Sequence, residues 1–83
     1  MFFYIQGNFM SLIDLSLGQK ARVIKVNSAV KKFKIRMADL GFIPGCVVCV
    51  KRIAPLKDPI EVSLHGYSLS LGKYESSKVE VTI

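Results

Sequence analysis

The chain has 83 residues, enough for one domain with a small hydrophobic core. Its apolar fraction of 51% is high for a small domain, but no apolar run approaches the roughly 20 residues of a membrane-spanning helix. The apolar start of the chain is too short for a signal peptide, and no basic residue precedes it. We therefore expect a cytoplasmic protein.

Basic residues outnumber acidic residues by 12 to 6, which gives a formal net charge of +6. This charge favours an acidic partner, whether a nucleic acid, an anionic membrane or an acidic protein surface. Basic residues spread over a small domain also serve solubility alone. The net charge therefore favours an acidic partner but does not show which of these three kinds it is.

Residues 1–10 form an N-terminal extension whose apolar pattern does not continue into the predicted domain at residues 11–83. The sequence leaves open whether this extension is native to the protein and whether it is ordered. If it is ordered, we expect a partner chain to cover Phe2, Phe3 and Tyr4, because exposing them to water is costly.

The domain is predicted to begin with a short turn of helix capped by Ser11 and Asp14. Residues 20–27 predict a first strand, and their imperfect alternation of apolar and polar residues indicates a bend. Asn27 and Ser28 then offer a cap for the helix that follows.

That helix is predicted by apolar residues at spacings of three, four and three, which place them on one face: Val30, Phe33, Met37 and Leu40. Basic side chains occupy most of the remaining surface: Lys31, Lys32, Lys34 and Arg36. The basic surface is either an ordinary solvated face or a docking surface for an acidic partner.

A tight turn is predicted to link this helix to a long strand. Gly41 follows the last apolar position of the helix, where a helix end commonly needs a positive φ. Pro44 cannot extend the helix, and residues 46–53 are rich in β-branched side chains. Lys51 marks one face of this strand as exposed, so we expect the opposite face to pack in the core; it includes Val48 and Val50.

The second half of the chain predicts a proline-containing loop at 54–59, a hairpin of 60–64 with 67–71, and a last strand at 79–83. Residues 72–77 predict a short link, such as a single helical turn. The total is five short strands, with one short helix between the first and the second. This content favours a mainly β fold: a small, strongly bent, partly closed barrel.

Cys46 and Cys49 have the Cys-x-x-Cys spacing of metal and redox sites. Positions three apart in a strand point to opposite faces, however, and the chain has no other cysteine and a single histidine, His65. One chain therefore lacks the ligands for a closed zinc site. We expect two reduced thiols, no metal ligands and no bound cofactor.

No catalytic pattern is present either. The carboxylates show no paired spacing, the serines lack the surroundings of a nucleophile, and the glycines form no phosphate-binding loop. We therefore expect a binding module and not an enzyme.

Nucleic acid is not the expected partner, because the aromatic residues are not interleaved along one strand as a stacking surface requires. Small barrels do bind single strands, so this alternative stays open.

The segment at residues 36–45 resembles the FeoA family, ferrous iron transport protein A. Its Arg-Met, Leu-Gly-Phe and Gly match the family pattern, and a Val-x-Val strand follows at Val48–Val50. The resemblance runs from Leu12 to Val81 and includes the Ala-Pro and Asp-Pro of the loop at 54–59, with Lys57 where the family usually has Gly. The chain is also similar to the C-terminal SH3-like domain of iron-dependent repressors.

Two departures from the family pattern stand near the end of the chain. Gly72 occupies a position where Arg is common, and residues 74–76 replace a segment that ends in Glu-Ala. If that Arg contacts a partner, this chain lacks the contact or supplies the charge from Lys73.

The resemblance implies an SH3-like barrel that acts beside FeoB, the membrane ferrous iron transporter with a cytoplasmic GTP-binding domain. Such a protein would be an accessory of iron uptake that binds the transporter's cytoplasmic region and reaches the membrane only through it. Candidate contact residues are Lys31, Lys32, Lys34, Arg36, Lys51, Arg52 and Leu56. A nucleic-acid-binding or regulatory domain is the alternative, a direct iron binder is a third hypothesis, and homo-oligomerisation stays open.

Overall fold

Six antiparallel strands form one continuous sheet in the computed structural model, which describes residues 10–83. The strands are β1 (Met10–Ser11), β2 (Lys20–Val26), β3 (Val47–Ile53), β4 (Ile60–Leu64), β5 (Tyr67–Leu71) and β6 (Val79–Thr82), in the order β1-β6-β2-β3-β4-β5. The α-helices are α1 (Lys31–Asp39) and α2 (Lys73–Lys78), and single 3₁₀ turns cover Leu12–Asp14 and Pro55–Lys57. The predictions made for residues 1–9 lie outside the described residues.

The expected five-stranded, partly closed barrel is therefore wrong in strand number and in closure. The additional strand is β1, which pairs with β6 through Met10–Val81 and Ser11–Glu80. Within residues 10–83, β1 and β5 are the two edges of the sheet and do not pair with each other, so the sheet is open. A two-residue strand shows no alternation in sequence, and only its partner on β6 defines it.

The helix expected between the first two predicted strands is α1, and the expected link at residues 72–77 is largely a second helix, α2. Two carboxylates cap the start of α2. Glu75 Oε1 accepts from the Gly72 N–H at 2.7 Å, and Asp58 Oδ1 accepts from the Lys73 N–H at 3.1 Å. These bonds satisfy N–H groups that have no partner within the helix, which explains how so short a helix persists.

The proposed cap of α1 by Asn27 and Ser28 is wrong. Val30 stands at the cap position, and no side chain bonds the first turn. Ser28 Oγ instead accepts from the Val30 N–H at 3.1 Å, one residue before the helix begins. Asn27 instead contacts β6: its Nδ2 donates a hydrogen bond to Glu80 Oε2 at 2.7 Å.

The core lies against one face of the bent sheet. Val48 and Val50 are fully buried, as predicted, while Lys51 on the opposite face is exposed. Pairing shifts register between Val23 and Lys25, and again between Val50 and Arg52; such irregularities increase local twist and bend the strands. The bend lets residues from the whole chain meet in one cluster, which includes Leu12, Leu15, Met37, Phe42, Ile60, Val62, Leu64, Val79 and Val81.

Two side chains of the β4–β5 hairpin contact the turn that follows α1. Gly41 has φ +111°, which confirms the predicted positive value. The Tyr67 hydroxyl donates to the Leu40 carbonyl, and His65 Nε2 lies 3.1 Å from the Gly41 carbonyl. These contacts occupy carbonyls at the end of α1, so the hairpin fixes where the helix lies.

Candidate partner-binding surface

The four basic residues predicted on α1 are all exposed, but they do not share one face. With about 3.6 residues per turn, Lys31 and Lys34 lie on the same side of the helix. Lys32 is displaced from Lys34 by a little over half a turn, and Arg36 points toward α2. The helix thus divides the predicted basic surface into separate parts.

Arg36 is engaged within the protein. Its guanidinium lies 2.7 Å from Glu75 Oε2 on α2 and its Cζ lies 5.8 Å from the centre of the Phe33 ring. Phe33 in turn makes an edge-to-face contact with Tyr74, with 5.4 Å between ring centres. Arg36 therefore joins α1 to α2, a role that sequence could not show because its partner is 39 residues away. Its role toward a partner stays a prediction.

A groove runs along the outward side of α1, and we call it the α1 groove. It consists of two adjoining depressions, of about 600 and 240 Å³, that share Lys34 and Ala38. The first is lined further by Ser28, Ala29, Lys31 and Ile35, and the second by Lys25, Val26, Phe42, Ile43 and Pro44. Ile35 and Ile43 are 54% and 47% exposed, so the groove presents apolar surface between lysines.

Lys51 and Arg52 occupy a different part of the surface, in the second half of β3. Both are exposed, and Arg52 Nε lies 3.6 Å from Glu61 Oε1 on β4. The Arg52 side chain is 80% exposed in this pair, so solvent screens the interaction strongly. Neither residue lines the α1 groove.

Leu56 stands at the tip of the loop between β3 and β4 and is 86% exposed. Its φ of 61° and ψ of 17° place it in the left-handed region, and Lys57 follows with φ 58°. The loop is held in place: Lys57 Nζ donates to the Ile13 carbonyl at 3.1 Å, and the Ala54 N–H donates to the Pro59 carbonyl at 3.1 Å. The left-handed backbone carries no signal in the sequence, because leucine rarely adopts it.

The departure at Gly72 has a structural counterpart. A Cβ at this position would lie 2.7 Å from Glu75 Oε1, the oxygen that caps α2. An arginine here would displace the capping carboxylate, so glycine and Glu75 fit together. Lys73, the alternative source of positive charge, is exposed.

The two cysteines have separate surroundings. Cys46 Sγ donates to the Gly41 carbonyl at 3.3 Å, and Cys49 Sγ lies 3.8 Å from the Gly18 carbonyl. Both are thiols and both are partly buried. In the described part of the chain, no three His, Cys, Asp or Glu side chains come together as a metal site would need. The expectation of no metal ligand stays a prediction.

No helix within residues 10–83 has the length and apolar character needed to cross a bilayer.

Comparison with known proteins identifies a family for this chain. A family model described as the FeoA domain matches residues 10–83. The "Fe(2+) transport protein A/Fe(2+) transporter FeoB fusion protein" of Porphyromonas gingivalis (strain ATCC BAA-308 / W83) is 31% identical over 74 residues. The match covers 89% of this chain but only 9% of the fusion protein.

Solved structures agree with this assignment. The solution structure of FeoA from Chlorobium tepidum superposes with a TM-score of 0.79 at 36% identity, covering 89% of this chain and 70% of that chain. The crystal structure of FeoA from Stenotrophomonas maltophilia, described as a prokaryotic SH3 domain protein in complex with zinc, gives 0.77 at 27% identity and covers 87% and 88%. The open sheet of six strands thus has the SH3-like fold of these proteins, and the chain belongs to the FeoA family.

Proposed function

We propose that this chain is a small cytoplasmic accessory protein of ferrous iron uptake that binds the cytoplasmic region of an FeoB-type membrane transporter. The observation that carries the proposal is the fusion protein of Porphyromonas gingivalis, in which an FeoA part and an FeoB transporter form one chain. Fusion keeps two modules at a high effective concentration, which is useful when they work in contact. In the present chain the same contact would form between separate molecules.

The surface supports a binding role. We propose that the contact draws on part of a set of candidate residues, all of them exposed: Lys31, Lys32, Lys34, Arg36, Lys51, Arg52 and Leu56. The Stenotrophomonas maltophilia relative is described as a candidate activating factor of ferrous iron transport, which fits an accessory role for this family. We propose no catalysis for this chain, and we propose that it reaches the membrane only through the transporter.

Isothermal titration calorimetry of the full chain with the soluble cytoplasmic region of its own organism's transporter tests this proposal. We expect saturable binding at low salt that weakens as salt rises, because the screening length falls to about 8 Å at physiological ionic strength. A matched titration with an unrelated acidic protein of similar size controls for non-specific attraction. Absence of saturable heat with the transporter region, at low salt and at high protein concentration, would contradict the proposal.

A further inference from the structure

The acidic side chains of this protein are almost all used internally. Five of the six carboxylates make a hydrogen bond or an ion pair within residues 10–83. They are Asp14 with the Ser11 N–H, Asp58 with the Lys73 N–H, Glu61 with Arg52, Glu75 with Arg36, and Glu80 with Asn27. Only Asp39 has no such contact there. Most acidic side chains of this protein thus already have a partner within residues 10–83.

The lysines show the opposite pattern. Seven of them make no side-chain hydrogen bond, ion pair or contact with an aromatic ring within residues 10–83: Lys20, Lys25, Lys31, Lys32, Lys34, Lys51 and Lys73. Three of these seven, Lys25, Lys31 and Lys34, line the α1 groove, whose lining includes no carboxylate. The α1 groove thus combines three lysines that have no internal partner with a lining that contains no carboxylate.

The same groove carries apolar surface that the core does not use. Met37 on the inward side of α1 is fully buried, whereas Ile35 on the outward side is 54% exposed. Ala38 lies one turn further along that outward side, and Ile43 continues the apolar surface beyond the end of the helix. Exposed apolar surface bordered by polar groups is typical of sites that bind another protein.

Two other occupants fit the groove less well. A second copy of this chain would bring its own positive charge and few available carboxylates, so two basic surfaces would repel each other. A single-stranded nucleic acid would need exposed rings on which bases can stack, but the aromatic residue of the groove, Phe42, is only 2% exposed. Charge and apolarity together fit a protein segment that carries both carboxylates and apolar side chains.

We propose that the α1 groove binds an acidic amphipathic segment of a partner protein. Its apolar side chains would lie over Ile35, Ala38 and Ile43, and its carboxylates would pair with Lys25 and Lys34. This inference rests on the proposed function to the extent that it assigns the segment to the cytoplasmic region of the transporter. It leaves the other predicted contact residues, among them Lys32, outside the binding site.

Lys34→Glu and Lys32→Glu make a matched pair for the test. Both residues are exposed on α1, and both substitutions change the net charge by the same amount, but only Lys34 lines the groove. Ile35→Ser adds a variant that removes apolar surface without changing charge. Thermal unfolding of each variant shows whether the fold is kept, which we expect at three exposed positions.

Fluorescence anisotropy measures the affinity of the full chain and each variant for four probes. These are the transporter's soluble cytoplasmic region, a synthetic helical peptide with Leu on one face and Glu on the other, the same peptide with Lys for Glu, and an oligothymidylate. At physiological salt we expect Lys34→Glu to weaken binding to the first two probes by about fivefold, from reversal of one charge within a few ångströms of a carboxylate. Lys32→Glu should weaken it by less than about twofold, and Ile35→Ser by about fivefold.

The outcomes separate the two proposals. If the transporter region binds and Lys34→Glu and Lys32→Glu weaken its binding equally, the assignment of the binding site to the α1 groove is wrong, while the proposed function stands. If the transporter region does not bind but the acidic peptide binds in a Lys34-dependent way, the groove stands and its assignment to the transporter is overturned. Binding of the Lys-substituted peptide as tight as the acidic one, or tighter binding of the oligothymidylate, would overturn the inference.

Discussion

Replacement of Gly41 by alanine is expected to destabilise this protein more than its small size suggests. Gly41 has φ +111°, a backbone conformation that a residue with a Cβ adopts only under strain. A Cβ there would also lie 2.8 Å from His65 Cδ2 and 2.9 Å from the Tyr67 hydroxyl oxygen. Both side chains would have to withdraw from the end of α1, where they contact the Leu40 and Gly41 carbonyls.

The size of the effect follows from two costs in the folded state and one gain in the unfolded state. The strained backbone costs about 1–2 kcal/mol. Loss or distortion of two hydrogen bonds costs about 0.5–1.5 kcal/mol each. Alanine returns roughly 0.4–1 kcal/mol by restricting the unfolded chain. We therefore expect Gly41→Ala to lower the free energy of unfolding by about 2–4 kcal/mol, which for a domain of this size lowers Tm by roughly 10–25 °C.

Gly18→Ala is the matched control. Gly18 also has a positive φ, +83°, but no atom lies within 4 Å of a Cβ placed there. It therefore carries the backbone cost alone, about 1 kcal/mol after the gain in the unfolded chain. Urea unfolding monitored by circular dichroism measures both variants. Equal losses for Gly18→Ala and Gly41→Ala would refute the argument that the β4–β5 hairpin closes on Gly41.

Three further substitutions test single features of the structure by the same unfolding measurement. Leu56→Asn should raise the free energy of unfolding by up to about 1 kcal/mol, because Asn tolerates the left-handed backbone and Leu56 is 86% exposed; a loss would contradict that conformation. Ser76→Ala should lower it by about 1 kcal/mol, since the buried hydroxyl donates to the Gly72 carbonyl at 2.9 Å; no change would mean that this bond contributes nothing. Arg36→Ala should cost less than about 1 kcal/mol, whereas Glu75→Ala should cost more because it also removes the cap of α2; the reverse order would contradict the capping role.

Local chemistry explains why much of the fold was predictable. The positive φ of Gly41, the inward face of β3 at Val48 and Val50, and the hairpin of β4 and β5 each follow from residues close together in the chain. Glycine at a helix end and strict alternation are strong signals because each has one dominant structural cause. The bend of β2 was also visible, as imperfect alternation, and corresponds to the register shift between Val23 and Lys25.

The features that sequence missed depend on partners far along the chain. β1 exists because Met10 meets Val81, and α2 is capped by Asp58 from another loop. The same limit applies to the candidate site. The basic residues of α1 were recognised by composition, but their division between the α1 groove and the Arg36–Glu75 pair depends on how α2 packs. No local pattern could show that division.

We expect this FeoA-family chain to bind the cytoplasmic region of an FeoB-type transporter through the outward side of α1. An NMR titration of the isotope-labelled full chain with that soluble region can locate the contact, because it reports each backbone amide. We expect shift changes concentrated at Lys25, Lys34, Ala38 and Ile43, with little change at Lys51 and Arg52. Shifts confined to β3, or no shifts at saturating concentration, would contradict this expectation.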